Sequence, residues 1–127
     1  MATILAIEDD PSFRDLLRLH LQSAGHAVRT AADPEEGLRA FLEDPPELVL
    51  LDLDLPYLSG LEVLEALKSD EASRPIPVVV VTGRAEGEIY ERCLRIGIEG
   101  FASKPIKREE LLRVIDKALA GGAGKAR

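Results

Sequence analysis

The run LLDLDLPYLSG, residues 50 to 60, places two aspartates one residue apart at the end of an apolar stretch. Asp52 and Asp54 are open to three readings: a metal pair, a nucleophile with its acid, or two solvated loop residues. Other reactive side chains also follow short apolar runs: Glu8, Asp9 and Asp10 after TILAI, Thr82 after PVVVV, and Lys104 after GFAS. If those runs are parallel strands, all of these residues lie at carboxyl ends, which share one rim of an open sheet. Ligands bind on that rim where the strand order reverses. Packing Glu8, Asp9 and Asp52 close together costs about 2–4 kcal/mol per close pair at an effective dielectric of ~20, so the cluster calls for positive charge. The ligands are all oxygen and no Cys/His cluster suits zinc, which makes Mg2+ the best fit, with two carboxylates bound directly, a backbone carbonyl, and waters held by Glu8. Lys104 supplies a second positive charge. An aspartate nucleophile, Mg2+, an ammonium and the Thr82 hydroxyl are together equipped to accept a phosphoryl group, because that transfer mostly needs positioning and charge neutralisation. Each feature alone is commonplace, whereas all four on one rim are not.

The elements that must position these groups alternate five times between short apolar runs and amphipathic stretches, the pattern of an α/β domain with a parallel sheet. Strands are expected at TILAI (3 to 7), AVRT (27 to 30), ELVLL (47 to 51), PVVVV (77 to 81) and GFAS (100 to 103). The first, third and fourth are wholly or almost wholly apolar and so belong in the centre, with the Arg29-bearing second and the short fifth at the edges, which the order 2-1-3-4-5 satisfies. The first helix is expected from Asp10 to Ala24, with Asp10 as N-cap, Pro11 in the first turn, Phe13, Leu16, Leu17, Leu21 and Ala24 on one face, and Gly25 as the stop. Asp33 and Pro34 start the second, to about Glu43, and Ser59 with Glu62 makes a capping box for the third. The fourth runs from about Ala85 to Ile96, its start loosened by Gly83 and Gly87. Leu111, Leu112, Ile115, Ala118 and Leu119 mark the fifth between Lys107 and Ala120, and residues 121 to 127 are expected to be a flexible tail or the start of a linker.

A chain of 127 residues suits one domain, here residues 1 to 120. With no long apolar run and no signal-peptide pattern at Met1, neither membrane insertion nor secretion is indicated, and the expected setting is the cytoplasm. The lone Cys93 reads as a small apolar residue on a helix face. His20, beside the stripe of the first helix, reads as a packing or surface residue. A formal charge of −7 argues against direct nucleic-acid binding, which needs a basic face.

From Thr3 to about Leu119 the chain resembles the receiver domain of two-component response regulators. ILAIEDDP is similar to that family's acidic opening, LLDLDLPYLSG to its phosphoacceptor strand and turn, VVVVTGRA to its Thr/Ser strand, and FASKPI to its Lys-Pro turn, and the spacing between them fits. The resemblance implies a flavodoxin-like (βα)5 three-layer sandwich. It makes Asp52 the acceptor of phosphate from a sensor histidine kinase or phosphotransfer protein. It further implies that Asp9, Asp52 and the main-chain carbonyl of Asp54 ligate Mg2+, with Glu8 acting through water, and that Thr82, Gly83 and Lys104 hold the phosphate. The Lys104-Pro105 bond would be cis, and Thr82 and Phe101 would be the switch pair. Phosphorylation would then shift a population toward a state in which the fourth helix, fifth strand and fifth helix form a face for an output protein or an effector domain. Two departures, GIEGF before the switch aromatic and KPI in place of KPF, lack the charged pattern of symmetric dimers in the winged-helix subclass and argue against dimerisation through that face.

Such a domain is not expected to be an enzyme beyond its own phosphotransfer and dephosphorylation. DLDLP also echoes the DxDx motif of haloacid dehalogenase-like phosphatases. Pro56, the early position of the other acidic residues, and a length with no room for substrate-shaping insertions oppose that reading. A degenerate receiver acting as a constitutive interaction module is opposed by the intact acceptor, metal and Lys positions. Asp54 and Arg84, each two residues beyond a site residue, are expected to flank the mouth of the site as modulators that slow water's approach to the acyl phosphate.

Overall fold

The computed structural model describes residues 1–54, 59–83 and 87–125, with the side chains of 122–125 left aside. Ten elements alternate: β1 (Thr3–Ile7), α1 (Pro11–Ser23), β2 (Ala27–Ala31), α2 (Pro34–Glu43), β3 (Leu48–Leu51), α3 (Gly60–Ser69), β4 (Val78–Thr82), α4 (Gly87–Ile96), β5 (Gly100–Ser103) and α5 (Arg108–Lys125). The strands form one sheet in the order β2-β1-β3-β4-β5, every pairing parallel. This is the expected flavodoxin-like three-layer sandwich.

Alternating side chains explain why the central strands read as continuous apolar runs. Ile4, Ala6, Leu48, Leu50, Val79 and Val81 point to one face of the sheet, where they pack with Leu17 and Leu21 of α1 and Leu111, Ile115 and Ala118 of α5. Leu5, Ile7, Val49, Leu51, Val78 and Val80 point to the other, against Phe41 of α2, Val63, Leu64 and Leu67 of α3 and Cys93 of α4. Both faces are buried, so neither set of positions tolerates polar residues. Cys93 is a buried free thiol, as its place on the helix face suggested. At the β2 edge, Arg29 donates to the carbonyls of Ala40 and Asp44 and ties α2 to the sheet.

The helix starts follow the capping residues. The Asp10 carboxylate accepts the Ser12 N–H at 3.1 Å, and that of Asp33 accepts the Glu36 N–H at 2.8 Å. Ser59 and Glu62 form the reciprocal capping box of α3. Gly25, at φ +91°, provides the left-handed turn that ends α1.

Several boundaries differ from the sequence reading. β4 begins one residue later and ends on Thr82 itself, because Pro77 has no N–H for the ladder, while Thr82 pairs in register with Ser103 and its carbonyl accepts the Lys104 N–H at 2.9 Å. α4 begins at Gly87 among the described residues, later than the Ala85 start expected; Ala85 lies outside them. The flexible stretch expected from residue 121 is instead helical through Lys125. Propagation adds a backbone hydrogen bond per residue to a helix already anchored by its apolar face, against a penalty of about 1 kcal/mol per glycine at Gly121, Gly122 and Gly124.

On the rim away from the carboxyl ends, the Lys68 ammonium donates to Glu99 Oε1 at 3.0 Å and to the carbonyls of Arg74 and Ile76 at 3.1 and 3.0 Å. The same Glu99 oxygen accepts the Val78 N–H at 2.8 Å. This pair, 7% and 15% exposed, locks the end of α3 to the starts of β4 and β5. Among the described residues no helix is long and apolar enough to cross a membrane.

Candidate functional site

β1 hydrogen-bonds to both β2 and β3, so the chain leaves it in opposite directions and a crevice opens above its carboxyl end. Glu8 and Asp9 follow β1 and Asp52 follows β3. The backbone carries the ladder past the strand ends: the Glu8 N–H donates to the Ala31 carbonyl at 2.9 Å and the Asp52 N–H to that of Ile7 at 3.1 Å. Both side chains are thereby held inward, Glu8 at 2% and Asp52 at 3% exposure, while Asp9 faces solvent.

The two buried carboxylates share one cation. Lys104 Nζ lies 2.9 Å from Glu8 Oε1 and 3.4 Å from Asp52 Oδ2. Each remaining oxygen takes a backbone donor two residues on: Glu8 Oε2 accepts the Asp10 N–H at 3.0 Å, and Asp52 Oδ1 accepts the Asp54 N–H at 3.2 Å. Burial pushes the Glu8 carboxyl up to about 7; the Lys104 hydrogen bond and the Asp10 N–H pull it down, and the charge of Asp52 adds to the rise. Burial alone would lower the Lys104 ammonium, but Glu8 and Asp52 outweigh it and hold the group above its ordinary value.

Among the described residues one ammonium, that of Lys104, faces these carboxylates and does not balance three of them. Glu8, Asp9 and Asp52 each offer an oxygen within 4.8 Å of the other two, the cluster the sequence placed here. An all-oxygen donor set with two members buried and one at the surface suits a hard divalent cation with retained waters.

The other residues expected at the site lie on or just after β3, β4 and β5. Thr82 is fully buried at the end of β4, and Gly83 beside it is exposed, with nothing within 4 Å of where a Cβ would stand. The Lys104-Pro105 bond is cis, as expected. Asp54 is exposed and contributes its N–H to the Asp52 carboxylate. Phe101, half-buried on β5, packs edge-on against Tyr90 of α4, ring centroids 5.0 Å apart at 72°. Arg84, expected to flank the mouth of the site with Asp54, lies outside the described residues.

Three contributors were not singled out from the sequence as parts of the site. Arg14, in the first turn of α1, donates to the carbonyls of Glu8 and Asp9 at 3.1 and 3.4 Å and fixes the acidic loop from behind. A cation one turn after an acidic triplet is its only local signal. The Phe13 ring, read as part of the α1 stripe, lies 4.5 Å beneath Lys104 Nζ. Gly60 lets α3 start directly on the loop that follows Asp52: a Cβ there would stand 2.3 Å from Leu53 Cα and 2.5 Å from the Asp52 carbonyl oxygen. Glycine at a first helical position, where propensity disfavours it, was the available hint.

Comparison with known proteins bears on what this rim does. The family model described as response regulator receiver domain matches residues 4–116. The chain is 36% identical over 114 residues to the DNA-binding dual master transcriptional regulator RpaA of Synechocystis sp., covering 88% of this chain and 46% of that protein. It is 31% identical over 121 residues to the protein PilH of Pseudomonas aeruginosa, covering 95% of this chain and 100% of that one. The chain thus spans about half the length of RpaA and of similar transcriptional regulators, and the whole of PilH. A solved CheY-like response regulator receiver domain protein from Methanospirillum hungatei superimposes with a TM-score of 0.89 at 29% identity, over 98% of each chain.

Proposed function

Since this chain belongs to the response regulator receiver family and is a receiver domain of a two-component response regulator, we propose that Asp52 accepts a phosphoryl group from the phosphohistidine of a sensor kinase or phosphotransfer protein. The observation that supports this most is the convergence of Asp52 Oδ2 and Glu8 Oε1 on the single ammonium of Lys104. An Asp52 oxygen attacks phosphorus, the P–N bond breaks, its electron pair returns to the imidazole, and an acyl phosphate forms on Asp52. The domain turns over no other substrate; it catalyses only its own phosphotransfer and dephosphorylation.

Mg2+, when bound, supplies neutralisation of the acidic cluster and of the phosphoryl oxygens. Asp9, Asp52 and the Asp54 main-chain carbonyl would hold it directly and Glu8 through water. The chain's own residues do the rest. The Asp54 N–H orients the nucleophilic carboxylate at 3.2 Å, and Lys104 stands ready to follow an equatorial oxygen once the acceptor loses its charge. The buried Thr82 hydroxyl and the open backbone at Gly83 receive the remaining phosphoryl oxygens.

The output lies at α4, β5 and α5. Tyr90 and Leu94 are exposed there, and a shallow groove of about 150 Å³ runs between them, Ile98, Gly100 and Phe101. Thr82 and Phe101 lie on neighbouring paired strands, so a hydroxyl drawn toward phosphate repacks the ring against Tyr90 and alters this groove. Its partner is an output protein or an effector domain in the cytoplasm, and the net acidity of the chain disfavours direct contact with nucleic acid. Titration with beryllofluoride and Mg2+, followed by amide shifts, tests the reading. Responses at Asp52, Thr82 and Phe101 are expected, and their absence would overturn it.

A further inference from the structure

Among the described residues Lys104 is held on three sides, two of them charged. Beyond Glu8 and Asp52, its ammonium rests over the Phe13 ring face, 4.5 Å from the centroid. Phe13 lies in the first turn of α1, three residues after the Asp10 cap, and it is half-buried against the cluster that binds α1 and α5 to the sheet. The ring is therefore anchored by the core while its face is presented to the site.

We propose that Phe13 is a positioning residue that seats Lys104 for phosphoryl capture. This rests on the Asp52 reading above. The lysine must move during transfer. An ammonium held only by the Glu8 and Asp52 carboxylates must give up the latter contact when Asp52 becomes an acyl phosphate and loses its charge. A third hydrogen-bonding partner would anchor it against that movement. A ring face attracts the cation without a directional bond and excludes water from its underside, so the ammonium can slide toward a phosphoryl oxygen and remain desolvated. The preference for an aromatic residue at position 13 is thus electrostatic as well as steric.

The test replaces Phe13 by mono-, di- and trifluorophenylalanine, which drain the ring face stepwise at nearly constant shape, together with Phe13→Leu and Phe13→Trp. Two quantities are read: the proton shift of the Lys104 ε-methylene, and affinity for beryllofluoride in saturating Mg2+. The methylene resonance is expected upfield in the unsubstituted chain and shifted downfield in Phe13→Leu. Affinity should fall in step with fluorination, by about three- to tenfold at Phe13→Leu, and be retained in Phe13→Trp. A mere packing role would give no fluorine dependence and would make Trp the most damaging change; that pattern would overturn the proposal. So would a methylene shift indifferent to Phe13→Leu. Failure of the unsubstituted chain to bind beryllofluoride would contradict the Asp52 reading, and the methylene shift would still decide whether the ring seats the lysine.

Discussion

Lys104 Nζ sits 2.9 Å from Glu8 Oε1, closer than its 3.4 Å approach to Asp52 Oδ2, so the lysine belongs more to the buried glutamate than to Asp52. This gives the site a measurable dependence on pH. The Glu8 carboxyl stands at about 7 in the fold against an ordinary 4.5, so folding favours its protonated form. The associated stabilisation is full below pH 4.5 and is lost as pH rises toward 7, about 3 kcal/mol across that window. Lys104, held above its ordinary 10.5, loses its contribution only in strongly alkaline solution and does not enter the same window. Urea unfolding at pH 5 and 7.5 should show this decline, and Glu8→Gln should flatten it. An unchanged slope in the variant would assign the decline to other groups.

If Glu8 holds a metal-bound water, it must be ionised to do so. Mg2+ binding should then release protons around pH 7 and strengthen as pH rises through that range. Calorimetry in buffers of different ionisation enthalpy measures the release directly. Glu8→Gln should abolish most of it, whereas Asp9→Asn should weaken Mg2+ binding itself.

Gly60 is a steric requirement of the loop that follows Asp52. The Cβ of Gly60→Ala would fall 2.3 Å from Leu53 Cα, backbone that cannot rotate away. The expected cost is about 1–3 kcal/mol, with displaced amide resonances at Asp52 and Asp54 even in the folded fraction. An alanine variant of native stability and unshifted loop would show that α3 has room the geometry does not indicate.

The Lys68 and Glu99 pair stabilises without serving the site. Lys68→Met removes a cation with three acceptors and leaves Glu99 largely buried, which should cost about 3–5 kcal/mol in denaturant unfolding. Because the pair lies on the opposite rim, the folded variant should retain its Mg2+ affinity. Loss of that affinity would reveal coupling between the two rims.

How much of this was legible beforehand depended on how local the signal was. The five strands and their order could be read because strands buried on both faces must be continuously apolar, as LVLL and VVVVT are, whereas AVRTA carries an arginine suited to an edge. Glu8, Asp9, Asp52, Thr82 and Lys104 were legible because each follows or ends such a run. The Lys68 and Glu99 pair left no trace, since its partners are far apart in the chain and neither breaks a local pattern. Phe13 was visible as a core residue, but its second role depends on where the β5 turn carries Lys104. The helical continuation to Lys125 ran against the local glycine content, which is weaker evidence than attachment to an anchored helix.

The proposed phosphoacceptor is Asp52. The most direct measurement exposes the chain to acetyl phosphate with Mg2+, reduces any acyl phosphate with borohydride, and maps the resulting homoserine by mass spectrometry. Homoserine at position 52, lost when Mg2+ is withheld and absent in Asp52→Asn, is the predicted result. Homoserine at Asp9 or Asp54, or at no position, would contradict it.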